Sequence, residues 1–220
     1  LDEKGEETWS AEGRYAWGCQ GLPNGHRVVA SYSGRYVAEY NAEGREIWKK
    51  TGLPSAPFSV ERLANGNTLV TCSDSQKVVE IAPDKKVVWE VEISGRPMDA
   101  KRLENGNTLV ALQTFGKVVE VDRSGKVVWE IGDQKGVIAA SRLENGNTLV
   151  CRQASNMVVE MNRAGEIVWS KGELRNPYDA QRLPNGNTLI VDYNGVQELN
   201  PKGEVVWQRS GNGASRVHRY

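Results

Sequence analysis

The nine residues RLENGNTLV (Arg102–Val110) recur letter for letter at Arg142–Val150, 40 residues further along the chain. Two near copies flank them at the same interval, RLANGNTLV (Arg62–Val70) and RLPNGNTLI (Arg182–Ile190). A weaker copy, GLPNGHRVV, begins at Gly21. Self-similarity at a fixed period of this size is typical of repeat architectures. The repeat therefore decides the fold class before any single element does.

Each copy belongs to a unit whose turns indicate four strands, here called A to D. Strand A ends at an Asn-Gly pair, a dipeptide suited to the left-handed backbone of a tight hairpin. Strand B is apolar and β-branched, strand C carries Val-Val-Glu, and a second turn such as Arg123–Lys126 leads to strand D. Strand D carries a tryptophan, and these residues are Trp48, Trp89, Trp129, Trp169 and Trp207, with Trp9 in front. We expect each unit to be an antiparallel meander whose tryptophan packs against the next unit.

A unit of this length with four strands and no long amphipathic helix is typical of the blade of a β-propeller. The sequence therefore predicts an all-β fold, with one propeller domain over residues 1–220. A linear β-solenoid is the alternative, although its coils are usually shorter and lack a hairpin at every corner. The predicted repeats are about 12–50, 52–92, 93–132, 133–172 and 173–210, with partial strands of one further blade at 1–10 and 213–220.

The two ends of the chain bear on the number of blades. Leu1–Trp9 aligns with Leu199–Trp207, so the chain starts in a strand D, and residues 213–220 occupy a strand A position. We therefore expect six blades, one of them split or incomplete at the termini, with a five-bladed ring as the alternative. An incomplete blade exposes strand edges, so a monomer and a blade-completing homodimer both stay open.

Charge and hydropathy exclude several classes of partner. Lys plus Arg and Asp plus Glu number 28 each, so no net field draws the protein to nucleic acid or to an anionic membrane. Apolar runs reach only four or five residues, whereas a helix needs roughly 20 to cross a bilayer. The three widely spaced cysteines, Cys19, Cys72 and Cys151, are interpreted as small buried side chains. We expect no nucleic-acid partner and no membrane span.

Two stretches resemble known propeller repeats. VVEVDRSGKVVWE (Val118–Glu130) is similar to the tryptophan-docking repeat of PQQ-like propellers, and YDAQRLPNGNTLIVDYNG (Tyr178–Gly195) is similar to repeats of six-bladed arylsulfotransferase-like propellers. The resemblance covers nearly the whole chain and concerns architecture, because one fold hosts many functions. The habits of both families imply an extracytoplasmic location, periplasmic or secreted.

The resemblance does not carry a catalytic set to this chain. Arylsulfotransferases of this kind use several histidines that reach into the central channel, and this sequence has only His26 and His218. His26 follows an Asn-Gly turn at the position of Asn67 and is expected to be structural. His218, in a strand A position, is a weak catalytic candidate, and the channel carboxylates that could accompany it are Asp99, Asp179 and Glu61. Neither a cofactor nor a metal site is predicted, and the common nucleophile, zincin, phosphate-loop and calcium-loop motifs are missing from the sequence.

The loops separate a constant face from a variable one. The A–B and C–D turns are nearly the same in every copy, whereas the D–A and B–C connections differ, and antiparallel geometry places these on the opposite face. Binding residues concentrate on such loops, and arginine and aromatic residues are enriched at binding hot spots. The candidate ligand-binding residues of this variable face are Arg14, Tyr15, Trp17, Tyr32, Arg35, Tyr36, Phe58, Arg96, Met98, Gln113, Phe115, Arg152, Gln153, Arg175, Tyr178, Asp192 and Tyr193.

Three functional hypotheses follow. The leading one is a non-catalytic propeller scaffold that binds a protein, peptide or glycan through the variable face. The second is an enzyme, such as a lyase, hydrolase or degenerate sulfotransferase, with its site in the central channel. A pH–rate profile that ignored His218→Ala would remove the candidate base of this enzyme. The third is a designed or recently amplified repeat scaffold without a ligand.

Overall fold

The computed structural model describes residues 15–211 and 215–217. Within this part of the chain, β-strands form five four-stranded sheets, and the strands of each sheet pair in chain order. Every pairing is antiparallel, as in β6 with β7 and β7 with β8. Two 3₁₀ helices, Ser73–Ser75 and Gln153–Ser155, connect strands B and C of blades 2 and 4. The strands are numbered β1 to β20 in chain order, so that each blade contributes strands A to D.

Blade 1 contains β1 (Ala16–Gly21), β2 (Arg27–Ser31), β3 (Tyr36–Tyr40) and β4 (Glu46–Lys50). Blade 2 contains β5 (Pro57–Arg62), β6 (Thr68–Cys72), β7 (Lys77–Ile81) and β8 (Val87–Glu92). Blade 3 contains β9 (Pro97–Arg102), β10 (Thr108–Leu112), β11 (Lys117–Val121) and β12 (Val127–Ile131). Blade 4 contains β13 (Val137–Arg142), β14 (Thr148–Arg152), β15 (Met157–Met161) and β16 (Ile167–Lys171). Blade 5 contains β17 (Asp179–Arg182), β18 (Thr188–Asp192), β19 (Gly195–Leu199) and β20 (Val205–Ser210).

The blades are arranged as in a propeller, with strand A innermost. The A strands of successive blades contact one another, from β1 and β5 through to β13 and β17, so they surround a central channel. Strands B and C lie inside each sheet and are covered on both faces, which explains the Val-Val pair of strand C: Val78 and Val79 are both fully buried. The predicted all-β propeller of four-stranded blades is confirmed.

The number of blades differs from the favoured expectation. The described residues form five blades, which was the alternative, and not six. The expected strand at 1–10 lies outside the described residues, and only 215–217 of the expected strand at 213–220 is described. These three residues lie between β1 and β17 without forming a strand: Ser215 Oγ donates to the carbonyl oxygen of Trp17 (3.1 Å), and the Val217 N–H donates to Asp179 (3.3 Å). This segment adds no sheet, so the expected count of six is corrected to five for the part of the chain that the structure describes.

The Asn-Gly turns use their two residues differently from a two-residue hairpin. In the A–B turn of blade 2 only Gly66 takes a left-handed φ, of 84°. Asn65 acts through its side chain, whose Oδ1 accepts the N–H of Asn67 at 3.0 Å. The Leu63 carbonyl accepts the Gly66 N–H (2.9 Å), and the Asn67 carbonyl accepts the Leu63 N–H (2.8 Å). The turn is therefore a longer loop in which glycine supplies the backbone conformation and asparagine the side-chain acceptor.

The glutamate, arginine and tryptophan residues that recur in the repeat form a clamp between neighbouring blades. In blade 2, Glu80 of strand C accepts hydrogen bonds from Asn67 of its own A–B turn (2.7 Å) and from Arg102 (2.9 Å) and Arg123 (2.5 Å) of blade 3. Trp89 of strand D donates from Nε1 to the Arg123 carbonyl (2.9 Å), and its ring centroid lies 4.7 Å from the Arg102 guanidinium and 5.0 Å from that of Arg123. We call this set the Glu–Arg–Trp clamp, and it joins blade 2 to blade 3 by charge-assisted hydrogen bonds and cation–π contacts.

The clamp recurs with small changes. Between blades 3 and 4 it is complete, with Glu120, Arg142, Arg163 and Trp129 in the same roles. Between blades 1 and 2 the C–D turn carries Pro83 in place of the second arginine, so that one guanidinium contacts the tryptophan of blade 1. Between blades 4 and 5 the contact consists of Glu160, Arg182 and Trp169. Blade 1 has Gly21 at the position of this arginine, so the clamp is shown for the four interfaces from blade 1 to blade 5.

Candidate functional site

The channel is closed at the variable face by an apolar cap. Successive positions of the A strands form layers around the channel, and the cap is the layer made by Trp17, Phe58, Met98, Ile138 and Tyr178. Trp17 stacks on Phe58 with ring centroids 5.0 Å apart and meets the edge of Tyr178 at 6.0 Å. The last contact joins blade 1 to blade 5 and completes the cap.

Beneath the cap lies a buried charged triad of Asp99, Asp179 and Arg216. Arg216 lies in the described segment 215–217, and its guanidinium approaches Asp99 Oδ1 at 3.7 Å and Asp179 Oδ1 at 3.5 Å. Asp99 also accepts the Ala140 N–H (3.4 Å), and Asp179 accepts the Val217 N–H (3.3 Å). Two carboxylates thus share one guanidinium, and this triad holds the segment 215–217 against three blades.

A polar ring follows two residues further along each A strand. Its members are Gln20, Glu61, Lys101, Ser141 and Gln181. In blades 1 and 2 the ring residue accepts the backbone N–H of the next blade: Gln20 Oε1 from Arg62 (2.5 Å) and Glu61 Oε2 from Arg102 (2.8 Å). Lys101 cannot make this contact, because an ammonium has no acceptor. Among the described residues its Nζ makes neither a hydrogen bond nor an ion pair within 4 Å.

The charges of the channel shift one another's ionisation. Burial raises the pKa of Glu61 and of Asp179 above the ordinary values of carboxyl groups, against the opposing effects of Lys101 and Arg216. Burial opposes the charged form of Lys101, yet the carboxylates of Asp99, Glu61 and Asp179 hold its pKa above its usual value. Lys101 is therefore an ammonium at neutral pH, in a site where a carboxyl group is less readily ionised than in water.

These layers line a cavity of about 220 Å³. Ser59 and Asp99 near the cap are 3% and 2% exposed, whereas Glu61 and Lys101, two residues further along the same strands, are partly exposed. The cavity therefore opens toward the end of the channel that carries the A–B turns, opposite to the variable face. Its wall also includes Cys151, whose thiol pKa burial raises. Cys19 lines the wall as well but is exposed, so the expectation of three buried cysteines holds for Cys72 and Cys151 and is wrong for Cys19.

The catalytic candidates are only partly brought together. Asp99, Asp179 and Glu61 all line the cavity, but the two aspartates are bound to Arg216. His218 lies outside the described residues. His26 takes the clamp position of Asn67, as expected, with its Nδ1 2.7 Å from Glu39 Oε1. In residues 15–211 and 215–217 no group of three metal-ligating side chains comes together, and no helix is long and apolar enough to cross a membrane.

The variable-face candidates divide by exposure. The exposed ones are Tyr15, Arg35, Arg96, Phe115, Arg175 and Tyr193. The half-buried ones are Trp17, Tyr32, Tyr36, Gln113, Arg152, Gln153 and Tyr178. Those buried are Phe58 and Met98 in the cap and Asp192 at the end of β18, where its carboxylate accepts the N–H of Arg175 at 2.9 Å. Arg14 lies outside the described residues.

Sequence reasoning missed two residues of the channel. Lys101 could have been found by aligning the copies, because its ring position holds Gln20, Glu61, Ser141 and Gln181 elsewhere and only blade 3 places a cation there. Arg216 had no comparable signal, since it lies outside the five complete units and its position depends on how the chain returns to blade 5.

Comparison with known proteins agrees with the architecture. The structure of a protein of unknown function from Bacteroides caccae matches with a TM-score of 0.77 and 18% identity, covering 89% of this chain and 81% of that one. A streptogramin B lyase matches with a TM-score of 0.72 and 11% identity, over 90% and 69%. Virginiamycin B lyase from Staphylococcus aureus matches with a TM-score of 0.69 and 13% identity, over 90% and 70%. At these identities the likeness concerns the fold alone.

No curated protein matches the sequence at a significant level. The PQQ_2 family model, described as outer membrane protein assembly factor BamB, matches residues 74–220 of the 220. The repeat that resembled PQQ-like propellers, Val118–Glu130, lies inside this match, and its letters are those of the Glu–Arg–Trp clamp. The chain belongs to the PQQ_2 family of PQQ-like β-propellers.

Proposed function

We propose that this chain is a non-catalytic propeller scaffold whose variable face binds a peptide segment of a partner protein. The observation that carries the proposal is a row of arginine and aromatic side chains held in place on that face. Such residues dominate binding energy at interfaces, and their ordering before binding lowers the entropic cost of association.

A chain of polar contacts orders this row across three blades. The Tyr32 hydroxyl donates to Asp74 (3.3 Å), Arg96 lies 3.9 Å from the same carboxylate, and Arg96 also donates to Gln113 (2.9 Å). Phe115, two residues beyond Gln113, is 57% exposed, a large apolar surface left to solvent. Arg96 and Phe115 thus lie on neighbouring loops as a charged and an apolar contact for one ligand.

A second ordered pair supports the same proposal on blade 5. The Arg175 guanidinium lies 4.1 Å from the ring centroid of Tyr193, and both side chains are exposed. The apolar cap between these two sites closes the channel on this face, so a partner would rest on a continuous surface. Small molecules prefer concave sites, whereas a surface of this kind suits an extended peptide.

The location proposed for this function is extracytoplasmic. The support is the description of the family as an outer membrane protein assembly factor. A fusion to a reporter that is active only outside the cytoplasm, made with the natural gene, tests this location directly.

A random peptide library displayed on phage tests the binding proposal. Peptides enriched on the wild type should bind the double variant Arg96→Ala/Phe115→Ala at least about tenfold more weakly, as measured by biolayer interferometry. The matched control is Lys126→Ala/Lys202→Ala, which removes two exposed lysines from C–D turns on the opposite face. Equal binding of the peptides by the wild type and the face variant would refute the proposal, and so would a loss of binding in the control variant. A library that yields no binder would refute it as well.

The enzyme alternative has less support. Two of its three candidate carboxylates, Asp99 and Asp179, are bound to Arg216, and His218 lies outside the described residues. The lyases among the structural matches share the fold at 11% and 13% identity and do not bring an activity with them.

A further inference from the structure

The polar ring of the channel contains one cation and one anion that neighbour each other without pairing. Glu61 and Lys101 occupy equivalent positions in adjacent blades, and Glu61 Oε2 accepts the N–H of Arg102, the residue after Lys101. Their charged groups nonetheless form no ion pair within 4 Å. The Lys101 ammonium is partly exposed to the cavity, and the carboxylates of Asp99, Glu61 and Asp179 favour its charged form without a hydrogen bond to it, so its three N–H donors are open to a ligand.

Packing does not require the lysine. Four other copies of this position hold Gln20, Glu61, Ser141 and Gln181, and the copies share the same strand register. Glutamine at this place in blade 1 even accepts a backbone N–H of the next blade, which lysine cannot do. Lys101 therefore departs from the scaffold in one blade only, and it does so inside a cavity that opens to solvent.

We propose that the central cavity is a binding site for a small zwitterion, a free amino acid or a molecule of the same class, whose carboxylate binds Lys101 and whose ammonium binds Glu61. The free Oε1 of Glu61 and the Nζ of Lys101 supply the two charges, and no described residue satisfies either atom. A zwitterion bridges a cation and an anion that do not pair with each other, and it adds no net charge to the cavity.

The size and lining of the cavity fit this class. An apolar cavity of about 150 Å³ holds benzene, so the volume of about 220 Å³ here suits a ligand of roughly six to ten non-hydrogen atoms. Ser141, which also lines the cavity, offers a further polar contact. Within the charged triad, Arg216 partly neutralises the carboxylates of Asp99 and Asp179. The triad closes the inner end of the cavity.

Isothermal titration with a panel of small ligands tests the proposal on the unmodified protein. The probes are glycine, L-alanine, L-serine, L-proline and γ-aminobutyrate, each compared with its methyl ester and its N-acetyl form. At least one zwitterion should bind, and both blocked forms of it should bind at least about tenfold more weakly. If no probe binds at up to about 50 mM, or if a blocked form binds as well as the parent, the proposal is wrong.

Variants then assign the two charges. Lys101→Gln and Glu61→Gln keep the polar ring, since glutamine is native at two of its positions, and each should weaken the zwitterion at least about tenfold. Unchanged binding by a variant with an unaltered circular dichroism spectrum would overturn the assignment. The control Arg96→Ala/Phe115→Ala should leave zwitterion binding intact. Lys101→Gln should in turn leave peptide binding intact, because Lys101 lines the cavity and does not lie on the variable face. The two proposals can therefore fail separately.

Discussion

Replacing Glu120 with glutamine removes one negative charge from the clamp between blades 3 and 4 and keeps the shape of the side chain. Glu120 is 4% exposed, and burial by itself opposes its ionisation. Hydrogen bonds from Asn107 (2.8 Å), Arg163 (2.9 Å) and Asn105 (3.1 Å) outweigh burial and lower the pKa of Glu120 from 4.5 to about 2. The charged form of this carboxyl is therefore favoured by the folded state.

The sign and size of the effect follow from this difference. A carboxyl whose folded pKa is depressed stabilises the protein fully above its unfolded pKa, and this contribution is lost as the pH falls from 4.5 toward 2. The two values correspond to about 3 kcal/mol at neutral pH. We expect Glu120→Gln to lower the free energy of unfolding by about that amount at neutral pH, and by only about 1 kcal/mol near pH 2.5.

Equilibrium urea unfolding of the wild type and the variant at several pH values measures this gap. The matched control is Glu130→Gln, since Glu130 forms an exposed ion pair with Lys117 (2.9 Å) in the same blade. Exposed pairs contribute little, so the control should change stability by less than about 1 kcal/mol. A gap for Glu120→Gln that stays constant from neutral to acid pH would show that the charge of Glu120 contributes nothing, and it would refute this account of the clamp.

Three further predictions concern stability and are measured by the same unfolding assay. Trp129→Ala should lower the free energy of unfolding by about 3 kcal/mol, and Trp48→Ala by about 1 kcal/mol less. The ring centroid of Trp129 lies 4.3 and 4.6 Å from two guanidinium groups, whereas that of Trp48 lies 5.4 Å from one. Equal losses would show that the second guanidinium contributes nothing. Gly106→Ala should lower the free energy of unfolding by about 1 kcal/mol, and Gly132→Ala should lower it by less. An added Cβ meets no atom within 4 Å at either site, and of the two glycines only Gly106 has a left-handed φ, of 85°. A larger loss for Gly132→Ala would contradict this prediction. His26→Asn should change stability by less than about 0.5 kcal/mol, because asparagine fills this clamp position in the other blades, and a large loss would mean that the imidazole has a role of its own.

The sequence was sufficient for the blades because the repeat carries both their strands and their interfaces. The Val-Val-Glu motif predicts strand C, and the structure shows why both valines are needed, since the strand is covered on both faces. The recurring tryptophan was expected to pack between blades, and Trp89 lies against Arg102 and Arg123 of the next one. Residues that recur in register are set by local packing, and local packing can be inferred from a period.

Closure of the ring could not be predicted in the same way. The number of blades depends on how the first and last units meet, and Trp17, Tyr178 and Arg216, which meet there, belong to no shared motif. The turn chemistry also differs from the expectation, because the Asn-Gly pair was expected to supply the left-handed backbone of a tight hairpin, whereas Asn65 uses its side chain and only Gly66 has a left-handed backbone.

The positions where one copy departs from the others separate scaffold from site. A residue that every blade shares is explained by the clamp and needs no ligand, as with Glu80 and Glu120. A residue found in one blade only, at a place where glutamine or serine serves elsewhere, is not explained by that packing. Lys101 is such a residue, it is charged, and it faces a cavity. Because the repeat provides its own internal controls, the departure at Lys101 is a stronger indication of binding than its charge or its burial would be in a protein without repeats.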